Sequence, residues 1–228
     1  MTAEQLSARM LSEMTFDYPE DRVPYHAIRD RRLNQRDRTT ILRAQAYMAD
    51  KPLKVLPVGS IRLGRLRAAV RTTKRRMEAA GHKLDLVVID YLQLVDPDEP
   101  KRSLVESVSA VSRGVKAMAM DEQVAVIALA QLSRAVEQRQ DKRPVLSDLR
   151  ESGQIEQDAD AVVGLYRHEY YVEQEEPDGA DADKHASWEA RLERCRGIIE
   201  FLVRKRRNGP TGIARGRFFG PYQAVRSL

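Results

Sequence analysis

With 228 residues, 42% hydrophobic and 32% charged, the chain has the profile of a folded protein of one domain or at most two, not of a disordered one. Its net charge of +5 and arginine-rich basic excess fit a polyanion partner as well as a merely solvated basic surface, and do not separate DNA from RNA or nucleotide. Cys195 is the only cysteine, which excludes intrachain disulfides and cysteine-rich zinc sites, and no apolar run approaches the ~20 residues that span a bilayer.

These features, with an N-terminus that lacks a basic-then-apolar signal pattern, lead us to expect a reducing, cytoplasmic setting with no membrane contact and an inert lone thiol. From Thr2 to about Asp50, apolar residues such as Leu6, Met10, Leu11, Ile41 and Leu42 recur at mixed three- and four-residue spacings. The pattern predicts several short amphipathic helices, the first capped by Thr2. Leu53 to Pro57 reads as a short strand, Gly59-Ser60 as a turn, and Ile61 to Ala80 as an arginine-rich helix with Ile61, Leu63, Leu66, Val70 and Met77 on one face.

Leu84 to Asp90 has the β-branched composition and length of a buried strand, Ser103 to Met120 has helical spacing, and Val124 to Ala130 is a second strand. Further strands are expected at Val162–Tyr166 and Gly197–Arg204, with Asn208-Gly209-Pro210-Thr211-Gly212 turning a C-terminal hairpin. Strands alternating with helices argue for an α/β fold on a mixed, mostly parallel sheet flanked by helices. An acidic stretch rich in Gly, Ala and Pro from Glu173 to Asp183 predicts an exposed loop, followed by a short helix from Ser187 to Arg194.

In open α/β sheets ligands bind beyond the carboxyl ends of parallel strands, so the first polar residues after the strands are candidates. Asp90 follows four consecutive apolar residues; a carboxylate there holds magnesium through its water shell in P-loop ATPases, and elsewhere is a simple cap or loop residue. Gln131, ending the next strand, has an amide able to contact a terminal phosphate and move when it leaves, although its local pattern alone favours a turn residue satisfying backbone groups. The polar stretch from Leu146 to Asp160 has a glycine, Gly153, where a helix can start, and bare backbone amides there can meet phosphates. That stretch is also acidic, which opposes DNA unless the acids face inward or pair with arginines. Arg204-Lys205-Arg206-Arg207 falls on the hairpin arm, in reach of a phosphate on a neighbouring molecule or simply guarding an edge strand.

Taken together, the segments LDLVVIDYLQLV (84–95), VAVIALAQLSRAVEQRQDKRPVLSDLRESGQIEQDADAVV (124–163), YRHEYY (166–171) and RKRRNGPTG (204–212) resemble the DnaB family of replicative helicases. The resemblance implies a RecA-like P-loop NTPase core in which residues 1–228 are part of the helicase C-terminal domain and 173–196 is a surface insertion, longer than the family usually has. It implies that Asp90 is the Walker B aspartate, holding Mg2+ through water, and that Gln131 is the phosphate-sensing glutamine. Arg150, Glu151 and Gly153 would lie in the loop that contacts single-stranded DNA. Lys205 and Arg207 would reach the ATP of a neighbouring subunit. ATP and Mg2+ are the implied cofactors; single-stranded DNA, other subunits in a ring of six, and a helicase loader or primase are the implied partners. Movement would run 5′ to 3′ along one strand. Ala130, His168 and Arg206 stand where the family more often has serine, aspartate and glutamine.

Residues 1–228 contain no GxxxxGK followed by Ser or Thr. Gly59-Ser-Ile-Arg-Leu-Gly64 comes near, but Arg65 and Leu66 follow it, so the lysine and the hydroxyl are both missing. Met1-Thr-Ala-Glu-Gln-Leu resembles the stretch that follows the family's catalytic glutamate. The expectation is therefore a fold without its first strand and P-loop, those parts lying upstream. Three readings follow: a helicase segment active only with its complement, a non-catalytic module that binds single strands or joins a helicase ring, or a remnant without function.

Overall fold

The computed structural model describes residues 2–149, 153–179 and 181–228. As expected, the N-terminal stretch forms short helices. Helix α1 (Ala3–Thr15) starts on a reciprocal cap, with the Gln5 amide donating to Thr2 Oγ at 3.2 Å and the Thr2 N–H donating to Gln5 Oε1 at 3.0 Å. Helices α2 (Tyr25–Arg29) and α3 (Gln35–Ala49) follow, the latter capped in the same way by Asn34 and Asp37.

Leu53 to Pro57 does not form the predicted strand; Leu53 and Leu56 are exposed and find no ladder partner. The strand lies further on, at β1 (Ile61–Arg62), which runs directly into α4 (Leu63–Ala79). Next come β2 (Leu86–Ile89), β3 (Val95–Asp96), α5 (Leu104–Glu122) and β4 (Ala125–Ala128). Helix α6 (Gly153–Asp158) begins at the glycine where a start was expected, and β5 (Ala161–Tyr166) and α7 (His168–Glu173) follow. Helix α8 (Ala182–Cys195) is longer than the predicted Ser187–Arg194 because Asp181 accepts from the Lys184 amide at 3.2 Å and caps it earlier. Last come β6 (Ile198–Arg206), β7 (Gly212–Phe219) and β8 (Ala224–Ser227).

Parallel and antiparallel pairing both occur, spread over three ladders. In two of them β1 pairs with β3 and β2 with β4, both parallel, with Leu86 opposite Ala125 and Ile89 opposite Ala128. The third has the order β5-β6-β7-β8. Its hairpin is the predicted one: the Phe218 N–H donates to the Gly197 carbonyl at 2.7 Å, joining the end of β7 to the approach of β6. One expectation fails in detail. Strand β2 is not buried on both faces, since Leu86 is 47% and Val88 58% exposed.

Contacts divide the chain into two compact units. The unit of residues 56–164 and 202–212 has a core in which α4 contributes Leu63, Leu66 and Val70 and α5 contributes Val108, Val111, Val115 and Met118. The α5 residues repeat at three- and four-residue spacing, so one stripe of the helix is apolar. Gly114 on α5 is required by close approach, since a Cβ there would lie 2.1 Å from Leu63 Cδ2. The unit of residues 1–55, 165–201 and 213–228 packs Leu11, Val23, Ala27 and Ile41 together. Buried Ser12 is satisfied there by donating to the Val23 carbonyl at 2.8 Å. Within the same unit α8 is tied to α7 by the Trp188 indole, which donates to the Val172 carbonyl at 2.7 Å. Burial, then the charge of Glu169, pushes the Cys195 thiol up, consistent with an unreactive cysteine. Among the described residues no helix is long and apolar enough to cross a membrane.

Candidate functional site

The parallel pairing of β2 with β4 puts the residues that follow each strand side by side. Asp90 directly follows Ile89 and is exposed; among the described residues nothing hydrogen-bonds to or pairs with its carboxylate. The ladder continues past the strands, with the Leu129 N–H donating to the Ile89 carbonyl at 2.9 Å and the Leu92 N–H to the Leu129 carbonyl at 2.8 Å. Gln131 comes next on that path. Its backbone is held by the Gln93 side chain, whose Nε2 donates to the Gln131 carbonyl at 3.4 Å and whose Oε1 accepts from the Gln131 N–H at 3.3 Å. The Gln131 side-chain amide makes no hydrogen bond of its own among the described residues. Sequence reasoning singled out Asp90 and Gln131, and the structure brings them to adjacent strand tips. Gln93 was missed: it sits four residues beyond the end of β2, within the 84–95 segment but with no chemistry that marks it out, and only the fold shows what it faces.

Lys205 and Arg207 lie elsewhere in the same unit. The Lys205 ammonium donates to the Glu156 carbonyl, and at 3.4 Å to that of Gln157, both at the C-terminal end of α6. Cations at such an end meet unsatisfied carbonyls and the negative pole of the helix. Arg207 donates to the Gln157 carbonyl at 3.4 Å, pairs with Asp160 Oδ1 at 2.9 Å, and its backbone N–H donates to the Asp160 carbonyl at 2.8 Å. No hydrogen bond or ion pair among the described residues joins this pair to Asp90 or Gln131. Their guanidinium and ammonium groups remain partly exposed at the unit's surface.

Of the acids that weighed against DNA binding by the 146–160 stretch, Asp148 and Asp160 are paired with cations and Asp158 is hydrogen-bonded. Buried Asp148 pairs with Arg139 at 2.8 Å and accepts from the Val145 amide at 2.8 Å. Asp158 accepts from Ser112 Oγ at 2.7 Å, and Asp160 pairs with Lys116 as well as Arg207. Ser112 and Lys116 are one turn apart on α5, so one face of that helix grips both carboxylates. Gly153, the first residue of α6, is exposed; Arg150 and Glu151, expected to touch DNA, lie outside the described residues.

The Lys116 hydrogen bond, supported by the charges of Lys116, Arg207 and Lys205, holds the Asp160 carboxyl below the usual carboxylate range against a smaller opposing effect of desolvation. A lowered native pKa means that the pairing is complete above the unfolded carboxylate value, about 3.9, and is lost as pH falls through the native one. A carboxyl-carbon NMR titration is expected to show Asp160 turning over below that value, and to move back toward it in Lys116→Ala; a midpoint at or above it would contradict the assignment.

The near match to a phosphate loop at Gly59–Gly64 is accounted for. Asp98 Oδ1 accepts from the Gly64 N–H at 2.8 Å, and Asp96 accepts from Ser60 Oγ at 2.6 Å, so carboxylates occupy the donors that a phosphate would need.

Among the described residues no group of three or more His, Cys, Asp or Glu side chains is placed to cage a metal ion. A free carboxylate at a strand tip fits magnesium that is held mainly by water and phosphate, which is how that ion is usually bound.

Parallel strands flanked by helices, with polar residues at neighbouring strand tips, are the architecture of a RecA-like ATPase core. Solved structures support this. A DnaB-like replicative helicase determined with its interactions with primase superposes with a TM-score of 0.81 at 32% identity, covering 100% of this chain and 50% of that one. A second solved structure, an ATPase domain, gives a TM-score of 0.81 at 32% identity and is covered to 72%. The replicative DNA helicase DnaB of Rickettsia conorii (strain ATCC VR-613 / Malish 7) is 40% identical over 214 residues, which are 93% of this chain and 40% of that protein. The DnaB of Geobacillus stearothermophilus is 37% identical over 229 residues, 100% of this chain and 44% of its own. The pattern of the DnaB-like helicase C-terminal domain matches residues 1–227, and the chain belongs to that family. It spans about 40% of the length of the curated relatives it matches.

Proposed function

We propose that this chain supplies the sensing, DNA-contacting and trans-acting parts of an ATP-driven 5′–3′ DNA helicase motor. The observation that carries the reading is the pair of strand tips, where among the described residues Asp90 is unpartnered and the Gln131 side-chain amide makes no hydrogen bond while its backbone is held. In that role Asp90 holds the water shell of Mg2+, and Gln131 faces the terminal phosphate of ATP. Bound Mg2+ would neutralise charge developing on the phosphates. Lys205 and Arg207, surface cations that no described residue ties to the chain's own strand tips, are offered to the nucleotide of the next subunit in a ring of six. Arg150, Glu151 and Gly153 line the path of single-stranded DNA, and the cation partners of Asp148 and Asp160 lower the acidic charge of the stretch that would oppose it. A primase or a loader is the natural docking partner, residues 173–196 form a surface insertion, and the setting is the cytoplasm.

Residues 1–228 lack a phosphate-gripping GxxxxGK[ST], so the purified chain is expected to show no ATP turnover alone in a coupled phosphate-release assay. Turnover that disappears in Gln131→Ala would overturn that. The surface placement of Arg207 also fits a second reading, a non-catalytic ring member that offers Arg207 while hydrolysing nothing. Turnover gained on mixing with a P-loop-bearing complement, and lost with Asp90→Ala in this chain, separates the first reading from the second.

Single-strand binding should be weak and salt-sensitive. Arg150→Ala is expected to weaken it severalfold and lower the slope of log affinity against log salt by about one, as fluorescence anisotropy reads it. Unchanged affinity and slope would remove Arg150 from the DNA path.

A further inference from the structure

We propose that Gln93 is a positioning residue for the phosphate-sensing amide of Gln131, a proposal that rests on the reading of Gln131 given above. The β2–β4 pairing continues in backbone form only as far as Leu129, which donates to Ile89 and accepts from Leu92. Beyond it the chain after β2 turns through residues 90–94 and no longer runs alongside Gln131. The Gln93 side chain takes over, donating through Nε2 to the Gln131 carbonyl and accepting through Oε1 from the Gln131 N–H.

This is the double bond that a neighbouring strand would make, supplied by one side chain. A primary amide at the end of a long side chain carries donor and acceptor on one planar group and so makes both at once. Glutamate at 93 would accept but not donate, and its charge would face the Gln131 carbonyl. Lysine would donate but not accept. Asparagine is one methylene shorter. Gln93 is half-buried, its neighbours Leu92 and Val95 are in the core, and its backbone is therefore fixed. Through Gln93 the segment that carries Asp90 sets where Gln131 stands, so magnesium-holding and phosphate-sensing groups keep one spacing when the loop after β4 moves.

The test begins with amide hydrogen exchange followed by NMR on the chain itself. In Gln93→Ala and in Gln93→Lys, neither of which can accept from it, the Gln131 amide is expected to exchange about tenfold faster than in wild type, the loss of one hydrogen bond, while the Leu129 amide, held by backbone, does not change. Equal acceleration at Leu129 would mean a general loosening of the ladder and would overturn the proposal, as would an unchanged Gln131 amide. The second measurement is ATP turnover in the assembled motor, with Gln131→Ala as reference. Positioning predicts that Gln93→Ala lowers kcat about tenfold and leaves KM unchanged, one lost bond again setting the scale. If Gln131→Ala lowers kcat and Gln93→Ala does not, the proposal fails. If neither lowers it, the sensing role of Gln131 fails, and with it the proposal, even where the exchange result stands.

Discussion

Replacing Arg207 by alanine is expected to lower ATP turnover in an assembled motor containing this chain by about a thousandfold, the lower range for removing a guanidinium that stabilises a transferring phosphoryl group. The expectation starts from where Arg207 stands. Its partners among the described residues are the Gln157 carbonyl and Asp160, both surface groups, and none of these residues links it to Asp90 or Gln131. A half-exposed pair of this kind contributes little to stability, so the variant should melt within about 0.5 kcal/mol of wild type. Lys205 still satisfies the end of α6 in the variant. Large loss of turnover with unchanged stability is the signature of a group that acts on the nucleotide. Because the nucleotide belongs to a neighbour, mixing wild-type and Arg207→Ala subunits should depress turnover at interfaces where the variant faces a wild-type site. A decrease below fivefold on full substitution, or a matching loss of melting stability, would remove Arg207 from the reaction.

Periodicity and strand-tip chemistry made much of this legible. The α5 stripe, the strand at 86–89, the glycine start of α6 and the hairpin after Arg206 all follow from local patterns, and the structure has them. Leu53 to Pro57 misled because an apolar run reads as a strand only if a partner is available to pair with it. Here the partner, Val95–Asp96, takes Ile61–Arg62 instead. Exposure of Leu86 and Val88 was likewise unreadable, since composition alone does not say which face of a strand is covered. At the site, Asp90 and Gln131 were visible as polar residues ending apolar runs. Gln93, Lys116 and Asp160 were not, because their significance is a contact across 38, 44 or 47 positions of sequence. The acidity of the 146–160 stretch pointed both ways until the Arg139, Ser112 and Lys116 partners were seen.

Met118→Ala is expected to cost the largest amount of stability of any single change considered, about 2–5 kcal/mol in chemical denaturation. Met118 is 0% exposed and lies on the α5 stripe with Val111 and Val115, inside the cluster that also holds Leu66 and Val70 of α4 and Ile89 of β2. Truncation removes most of a side chain from a place that water does not reach, and the transfer loss is joined by that of an unfilled cavity. Relaxation to fill the gap is limited on one side, because α4 and α5 are already in close approach at Gly114, against Leu63. Helix propensity favours alanine only slightly over methionine and offsets little of this. The same helix carries Ser112 and Lys116, which grip Asp158 and Asp160 and so set where α6 and Arg207 lie. Destabilisation should therefore be accompanied by faster amide exchange at Ala159, whose N–H bonds the Ile155 carbonyl at the end of α6. Met118→Leu, near in volume, should recover most of the loss. A cost below 1 kcal/mol for alanine would show that α5 is not the member on which this unit's core depends.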